Sequence, residues 1–499
     1  MSRAEHGDRM SLDLASQGSS ATTGASLTQS RRLATFAVLV ALAVIAWHVQ
    51  TSIPFRVDWQ TAGFVIALLV VIWPLSGALF LLLASVEVLS IVIALPAINT
   101  NRLLQLFIFA SIASTGAYVL VRSGFRRLAS GSWLELLQPL LRLQLVIVYG
   151  LAAWHKLNTD FLNLQSSCAV FLFERTPFWH LHAGSDSFRW GLILGTIVTE
   201  ALLPVGLSIR KTRNFAICYG VLFHISLGFS EFYAFSITMM SLLFLFTPDG
   251  FCDVAIDFWL GRKRWLRRGL CIALPTILTS VLILTAVKFG PSLTEIRQVS
   301  GLVGGLNLLW LKVAYWAWYW MLLVYLLPLG LFVWLWHTQP ASFAPVAKCF
   351  RPIPAVFWVL PALLVFDGLN PYLGLKTDTA FAMYSNLRSE GGITNHLIWR
   401  HPLALANYQL DLVRVVESNN ASLQAIATRG WPMPFLELRQ RVYALNRDDK
   451  KNISITFVRA GKTTHLDNVE LDTEFATRPS LLERKLLIFR PITRQGCPH

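Results

Sequence analysis

Long apolar runs separated by short basic or Pro/Gly-containing breaks fill the chain as far as Phe366. They cover 33–51, 61–95, 103–121, 133–153, 188–209, 215–230, 232–246, 270–287, 308–336 and 354–366. A helix rises ~1.5 Å per residue, so about 20 apolar residues cross a bilayer core. The run 61–95 is long enough for a hairpin broken between Pro74 and Gly77. With that hairpin, the pattern predicts about nine to eleven transmembrane helices by the length criterion. The runs 232–246 and 354–366 are short enough to be re-entrant.

Beyond Asn370 the pattern changes and charge density rises. Leu410–Glu417 and Ile453–Val458 read as strands, the second alternating ahead of a Gly461-Lys462 turn. Phe435, Leu438, Val442 and Leu445 share one helical face after Pro432 and Pro434. The expected architecture is a polytopic α-helical membrane protein with a small C-terminal α+β extramembrane domain. Its divisions are a disordered cytoplasmic tail over 1–30, a transmembrane domain over 31–369 and an extracytoplasmic soluble domain over 370–499.

Composition agrees with this pattern. Of 499 residues, 54% are hydrophobic and 14% charged, a balance that points to a membrane class. The net charge of +15 does not point to nucleic acid. The basic residues cluster between apolar runs, at Arg31-Arg32, Arg122/Arg126/Arg127, Arg210/Lys211/Arg213, Arg262 to Arg268 and Lys348/Arg351. That is how cytoplasmic loops are marked, and an N-terminus inside places all five clusters there. The expected location is the inner cell membrane, with the C-terminal domain extracytoplasmic and the bilayer as partner. The polar start of the chain shows no cleavable signal peptide. Six cysteines form no CxxC pair and no zinc spacing. Cys168 and Cys497 fall on the outer side and are free to pair there, which spacing alone does not decide.

Candidate chemistry sits where charge is least expected. Arg142, Tyr149 and Lys156 are seven residues apart, so they share a face of one apolar helix that also carries Gln144 and His155. Glu200 and His224 lie deep in the next two runs. Ionisable groups in a bilayer face a cavity or a partner. Arg142, Glu200 and His224 are therefore expected to form one buried cluster. The competing reading is structural: opposite charges neutralise each other, and Lys156 snorkels from a helix end. Lys312, among Trp310, Trp316, Trp318 and Trp320, reads as an interface anchor. His180 and His182 lack further ligands, so no metal site is expected. The external segment 158–187, with Phe178 and Trp179, reads as an amphipathic lid, and 289–305 as a second, polar outer loop. Walker, GxSxG and HExxH motifs are absent from the sequence.

Three blocks carry a resemblance: YGLAAWHKLNTDFL from Tyr149, TEALLP from Thr199 and FHISLGFSEFYAFSITM from Phe223. They resemble the HTTM membrane domain shared by vitamin K-dependent gamma-glutamyl carboxylase and bacterial relatives. NPYLGLKTDTAFAMYSNLRSEGGITNHL, from Asn370, resembles the junction in bacterial members. The resemblance implies a membrane enzyme of the carbon–carbon lyase class. It places the active-site amine at Lys156; the polar stripe itself adds His155 and Tyr149 as catalytic candidates, and the deep ionisable groups add Arg142, Glu200 and His224 as binding candidates. It further implies reduced vitamin K or another quinone as oxidisable co-substrate and a peptide or protein acceptor at the outer face. A neutral lysine would deprotonate the hydroquinone, oxygen addition would give a strong base, and that base would remove a glutamate γ-proton. The carboxylase has an Asn-Asn-His block; the comparable stretch here is Asn99-Thr100-Asn101-Arg102, without the histidine.

The residues support two function classes. One is an enzyme using Lys156 as base on a quinone or other lipid-soluble substrate. The other is a non-enzymatic membrane protein, a transporter, lipid handler or assembly factor, in which the intramembrane polar groups form a path or scaffold.

Overall fold

The computed structural model describes residues 4–51, 59–126, 128–176, 185–261, 325–340, 343, 349–449, 452–492 and 497. The expected lid residues Phe178, Trp179, His180 and His182, the loop 289–305 and Lys312 with its tryptophans lie outside the described residues. So does the apolar run 270–287.

The described chain is mostly helical. In order come α1 (Ala4–Thr51), α2 (Trp59–Ile72), α3 (Gly77–Ala94), α4 (Thr100–Arg122), α5 (Ser130–His155), a short α6 (Cys168–Glu174), α7 (Asp186–Ser208) and α8 (Arg213–Leu227). A π-helical turn, Gly228–Phe232, leads into α9 (Tyr233–Phe244), then α10 (Phe251–Leu260), α11 (Leu326–Thr338) and α12 (Val359–Leu373). Among the described residues, six segments are long and apolar enough to cross a membrane: Leu27–Thr51, Gly77–Ala94, Thr100–Arg122, Ser130–His155, Asp186–Ser208 and Ala355–Leu373. Three shorter apolar helices, Thr61–Ile72, Tyr233–Phe244 and Leu326–Thr338, accompany them.

Several breaks have local causes. The 61–95 run folds as two helices parted at 73–76, where Pro74 removes a backbone donor. The runs 215–230 and 232–246 fold back on each other at the π turn, so the rings of His224 and Phe235 lie 5.7 Å apart. Two helices extend past their apolar runs. Helix α1 is helical from Ala4, ahead of its membrane-length segment Leu27–Thr51. The segment expected to end at Phe366 continues to Leu373, where Gly374 closes it in the left-handed conformation that glycine adopts freely.

Helix α7 shows an inverted amphipathic pattern. Leu194, Val198, Leu202 and Val205 are exposed, while Thr199, Glu200, Leu203 and Leu207 are buried. A helix that presents leucine and valine outward and glutamate inward suits a lipid surround.

By contacts the chain divides into two compact units. One comprises Met1–Ser90, Ile108–Leu145 and Gly206–Phe357. Its core joins Ala43 and Ala46 of α1 to Ile225 of α8 and Tyr233, Ile237 and Met240 of α9. Also within it, His48 and Glu87, both fully buried, approach to 3.9 Å. The other unit comprises Ile91–Phe107, Val146–Val205 and Trp358–His499. Its C-terminal part carries β1 (Leu412–Ser418), α13 (Ala421–Arg429), β2 (Pro432–Pro434), α14 (Phe435–Asp449), β3 (Ile455–Arg459) and β4 (Lys462–Leu466). The four strands form an antiparallel sheet in the order β2-β1-β3-β4, with a register shift between Val415 and Glu417. Ala460 and Gly461 both have positive φ, as a two-residue hairpin with native twist requires. Phe435, Leu438 and Val442 of α14 pack on Val413, Val415 and Phe457, so the expected helical face is the one buried.

Candidate functional site

The site forms in the second unit, where the end of α5 meets residues 376–399. After His155 the helix stops, and Asn158 organises the turn beyond it. Its side-chain amide donates to the carbonyls of His155 at 2.7 Å and Ser385 at 2.5 Å, while its Oδ1 accepts from the Phe161 amide at 2.8 Å. Backbone bonds from Thr159 N–H to Asn395 O (3.1 Å) and Leu397 N–H to Leu157 O (2.8 Å) clip the two segments together. Arg388 pairs with Asp160 at 2.7 Å. Asn386 accepts the Cys168 amide and donates to Ser166 O, both at 2.7 Å. Cys168 is disulfide-bonded to Cys497.

The segment 379–386 has an unusual backbone. Thr379, Phe381, Tyr384 and Asn386 all adopt positive φ, a region that non-glycine residues rarely occupy. Such strain persists only where surroundings over-determine it. Here alternate carbonyls do so: Phe381 O lies 3.2 Å from His155 Nδ1, Met383 O accepts from Lys156 Nζ at 3.4 Å and Ser385 O accepts from Asn158.

Lys156 is 4% exposed. Its Nζ lies 2.7 Å from Glu200 Oε2 on the buried face of α7, and 5.7 Å from the centre of the Phe161 ring. Tyr149, buried one heptad before Lys156, is within electrostatic reach of Glu200. Lys156 and Glu200 are thus brought together. His155 turns elsewhere, stacking on Tyr372 with ring centres 5.6 Å apart.

Arg142 does not take Glu200 as its partner. Its guanidinium donates to Leu245 O and Cys349 O, within the first unit. Glu200 instead pairs with Lys156, and His224 packs its ring against Phe223 and Phe235. The expected Arg142–Glu200–His224 cluster is corrected accordingly. Arg142 is met by the carbonyl oxygens of Leu245, just past α9, and of Cys349, partners that side-chain identity does not reveal.

Three further groups carried no sequence signal. Lys376 Nζ pairs with Asp367 at 2.5 Å and donates to Thr379 O at 3.1 Å, supporting the strained segment. His396 Nδ1 accepts the Trp399 amide at 3.0 Å and its Nε2 donates to Trp154 O at 3.0 Å. Those bonds specify a neutral ring, and burial accordingly moves His396 below the ordinary imidazole range. Among the described residues, no group of three or more His, Cys, Asp or Glu could hold a metal ion.

No protein family, no curated protein and no solved structure matches this chain.

Proposed function

We propose that this chain is a multi-pass membrane enzyme of the gamma-glutamyl carboxylase kind, with Lys156 as base toward a lipid-soluble quinol and Glu200 as its proton partner. The observation that carries the reading is the buried Lys156–Glu200 pair at 2.7 Å. The donor set fits a quinol: a buried amine, a carboxylate, a phenol within reach, and an aromatic face at Phe161. Reduced vitamin K or another quinone, when bound, supplies the oxidisable ring.

The proton steps belong to this chain. As an ammonium, Lys156 is no base. Moving one proton from Nζ to Glu200 Oε2 gives an amine and a carboxylic acid with no change in net charge, so burial does not oppose the exchange. The free amine then accepts the quinol proton, and Glu200 keeps the displaced proton within the site. Met383 O and the Phe161 ring hold Nζ in place. His396 does not replace the histidine missing from the 99–102 stretch, since both of its ring nitrogens are engaged by backbone groups.

The Cys168–Cys497 disulfide favours an oxidising compartment for this end, in keeping with an extracytoplasmic C-terminal domain, a peptide acceptor at the outer face and an inner-membrane location. The two apolar runs with residues outside the described set, together with the described helices, fit the finer count of about nine to eleven crossings.

Quinol epoxide formation by the purified protein in nanodiscs, with oxygen, bicarbonate and a glutamate peptide, tests the reading. Epoxide should disappear in both Lys156→Ala and Lys156→Arg, because arginine does not deprotonate. Absence of epoxide from folded protein across several quinones would overturn it.

A second reading has the same pair in its favour. Lys156 and Glu200 satisfy each other with side chains only 5% and 12% exposed, as a structural clasp in a transporter, lipid handler or assembly factor would. A clasp should tolerate Lys156→Arg in any functional assay.

A further inference from the structure

The first unit holds a cavity of about 230 Å³ at the start of α5 and of the apolar part of α1, lined among others by Arg32, Glu135, Gln138, Arg142, Asp249 and Arg351. It is smaller than the ~300–1,000 Å³ pockets that take drug-sized ligands, so it has room only for a small group. Its walls are rich in donors. Leu245 O receives Arg142 Nε (2.9 Å), Arg142 Nη2 (2.5 Å), Arg32 Nη2 (3.0 Å) and Gln138 Nε2 (2.8 Å). A carbonyl oxygen has two lone pairs, so these four donors exceed what Leu245 O alone can satisfy; Thr247 O and Pro248 O take further Arg32 N–H groups, and Cys349 O one of Arg142. Arg32 is 1% exposed, and its Nε is buried without a hydrogen-bond partner.

Charge points the same way. Arg142 is 3% exposed and has no carboxylate within ion-pair distance among the described residues. Arg32 has Asp249 at 3.6 Å, but that carboxylate is largely solvent-exposed. Glu135 stands at the rim, held by Gln29 at 3.2 Å. Three arginines against two rim carboxylates leave the lining net positive, with both buried charges cationic. Buried guanidinium groups require compensation, and a phosphate offers several acceptor oxygens and negative charge at once.

We infer that this cavity is an anion site that takes a phosphate group, bound by Arg142 and Arg32 within and Arg351 at the mouth. The phosphate comes from an anionic phospholipid headgroup or from free phosphate in solution. The inference is independent of the Lys156 chemistry, since no cavity residue belongs to that site.

The full-length protein in a maltoside detergent, which carries no phosphate, separates these sources. Thermal unfolding and native mass spectrometry would be run with phosphatidylglycerol, with phosphatidylcholine, and with sodium phosphate against sodium chloride at equal ionic strength. The variants are Arg142→Gln and Arg351→Gln, the latter on an exposed side chain whose loss leaves the buried packing intact. Retention and stabilisation by phosphatidylglycerol over phosphatidylcholine, at least about tenfold weaker in Arg351→Gln, supports the site with a lipid source. The same dependence with sodium phosphate supports it with a soluble source. Lack of response to either probe, or a response unchanged in Arg351→Gln and in folded Arg142→Gln, would overturn the inference.

Discussion

Lys156 Nζ, one residue past the end of α5, and Glu200 Oε2 of α7 stand 2.7 Å apart, both turned from solvent. Neither residue is compensated if the other is removed. Glu200→Leu and Lys156→Met are each expected to lower unfolding stability by about 3–5 kcal/mol, because each strands a buried charge. The double variant Lys156→Met/Glu200→Leu should recover most of that loss, since two apolar groups need no partner. Thermal unfolding of the four proteins in one detergent measures the coupling, and additive losses would argue against a direct pair.

The close approach of α12 to α5 makes a second prediction. A Cβ on Gly368 would fall on the Leu151 side chain. Gly368→Ala should destabilise the protein by about 1–3 kcal/mol through overpacking. Adding Leu151→Ala opens the space and should restore part of the loss. Expression yield and melting temperature of the two variants check this, and no rescue would mean that the helices meet differently.

His396 gives a pH dependence of defined sign. Burial holds its folded-state value below the ordinary imidazole range. Below about pH 6.5 the unfolded chain takes up a proton that the folded chain refuses, so stability is complete above that pH and declines as pH falls toward the depressed folded value. The contribution is at most about 1.4 kcal/mol per pH unit. His396→Gln should remove this component of the slope below about pH 6.5 in denaturant titrations, at the expense of a uniform loss of stability from the Trp154 and Trp399 bonds.

The disulfide anchors the chain end. Cys497 is tied to Cys168, which in turn donates its amide to Asn386. Reduction, or Cys497→Ser, is expected to cost about 2–5 kcal/mol and to expose the C-terminal segment to protease. Limited proteolysis with and without reductant, then mass spectrometry, reads this directly.

The sequence by itself determined the elements whose signal is periodic. The apolar runs among the described residues became helices because about 20 residues without charge have few other solutions. The 61–95 hairpin was visible through Pro74 and Gly77, and the α14 face through Phe435, Leu438 and Val442. The polar stripe on α5 was equally legible, since Tyr149 and Lys156 share a face by helical geometry alone. The partners of that stripe were not legible. Glu200 had two cations to choose from, Arg142 and Lys156, and side-chain type does not rank them. Tertiary structure decided, because Leu245 O and Cys349 O offer acceptors to Arg142, while the buried face of α7 brings Glu200 to Lys156. The carbonyls at Phe381, Met383 and Ser385 were hidden for the same reason. Every residue has a carbonyl, and only the positive-φ backbone of 379–386 aims alternate ones at His155, Lys156 and Asn158. Local periodicity is written in residue types, whereas partner choice depends on backbone groups that all sequences share.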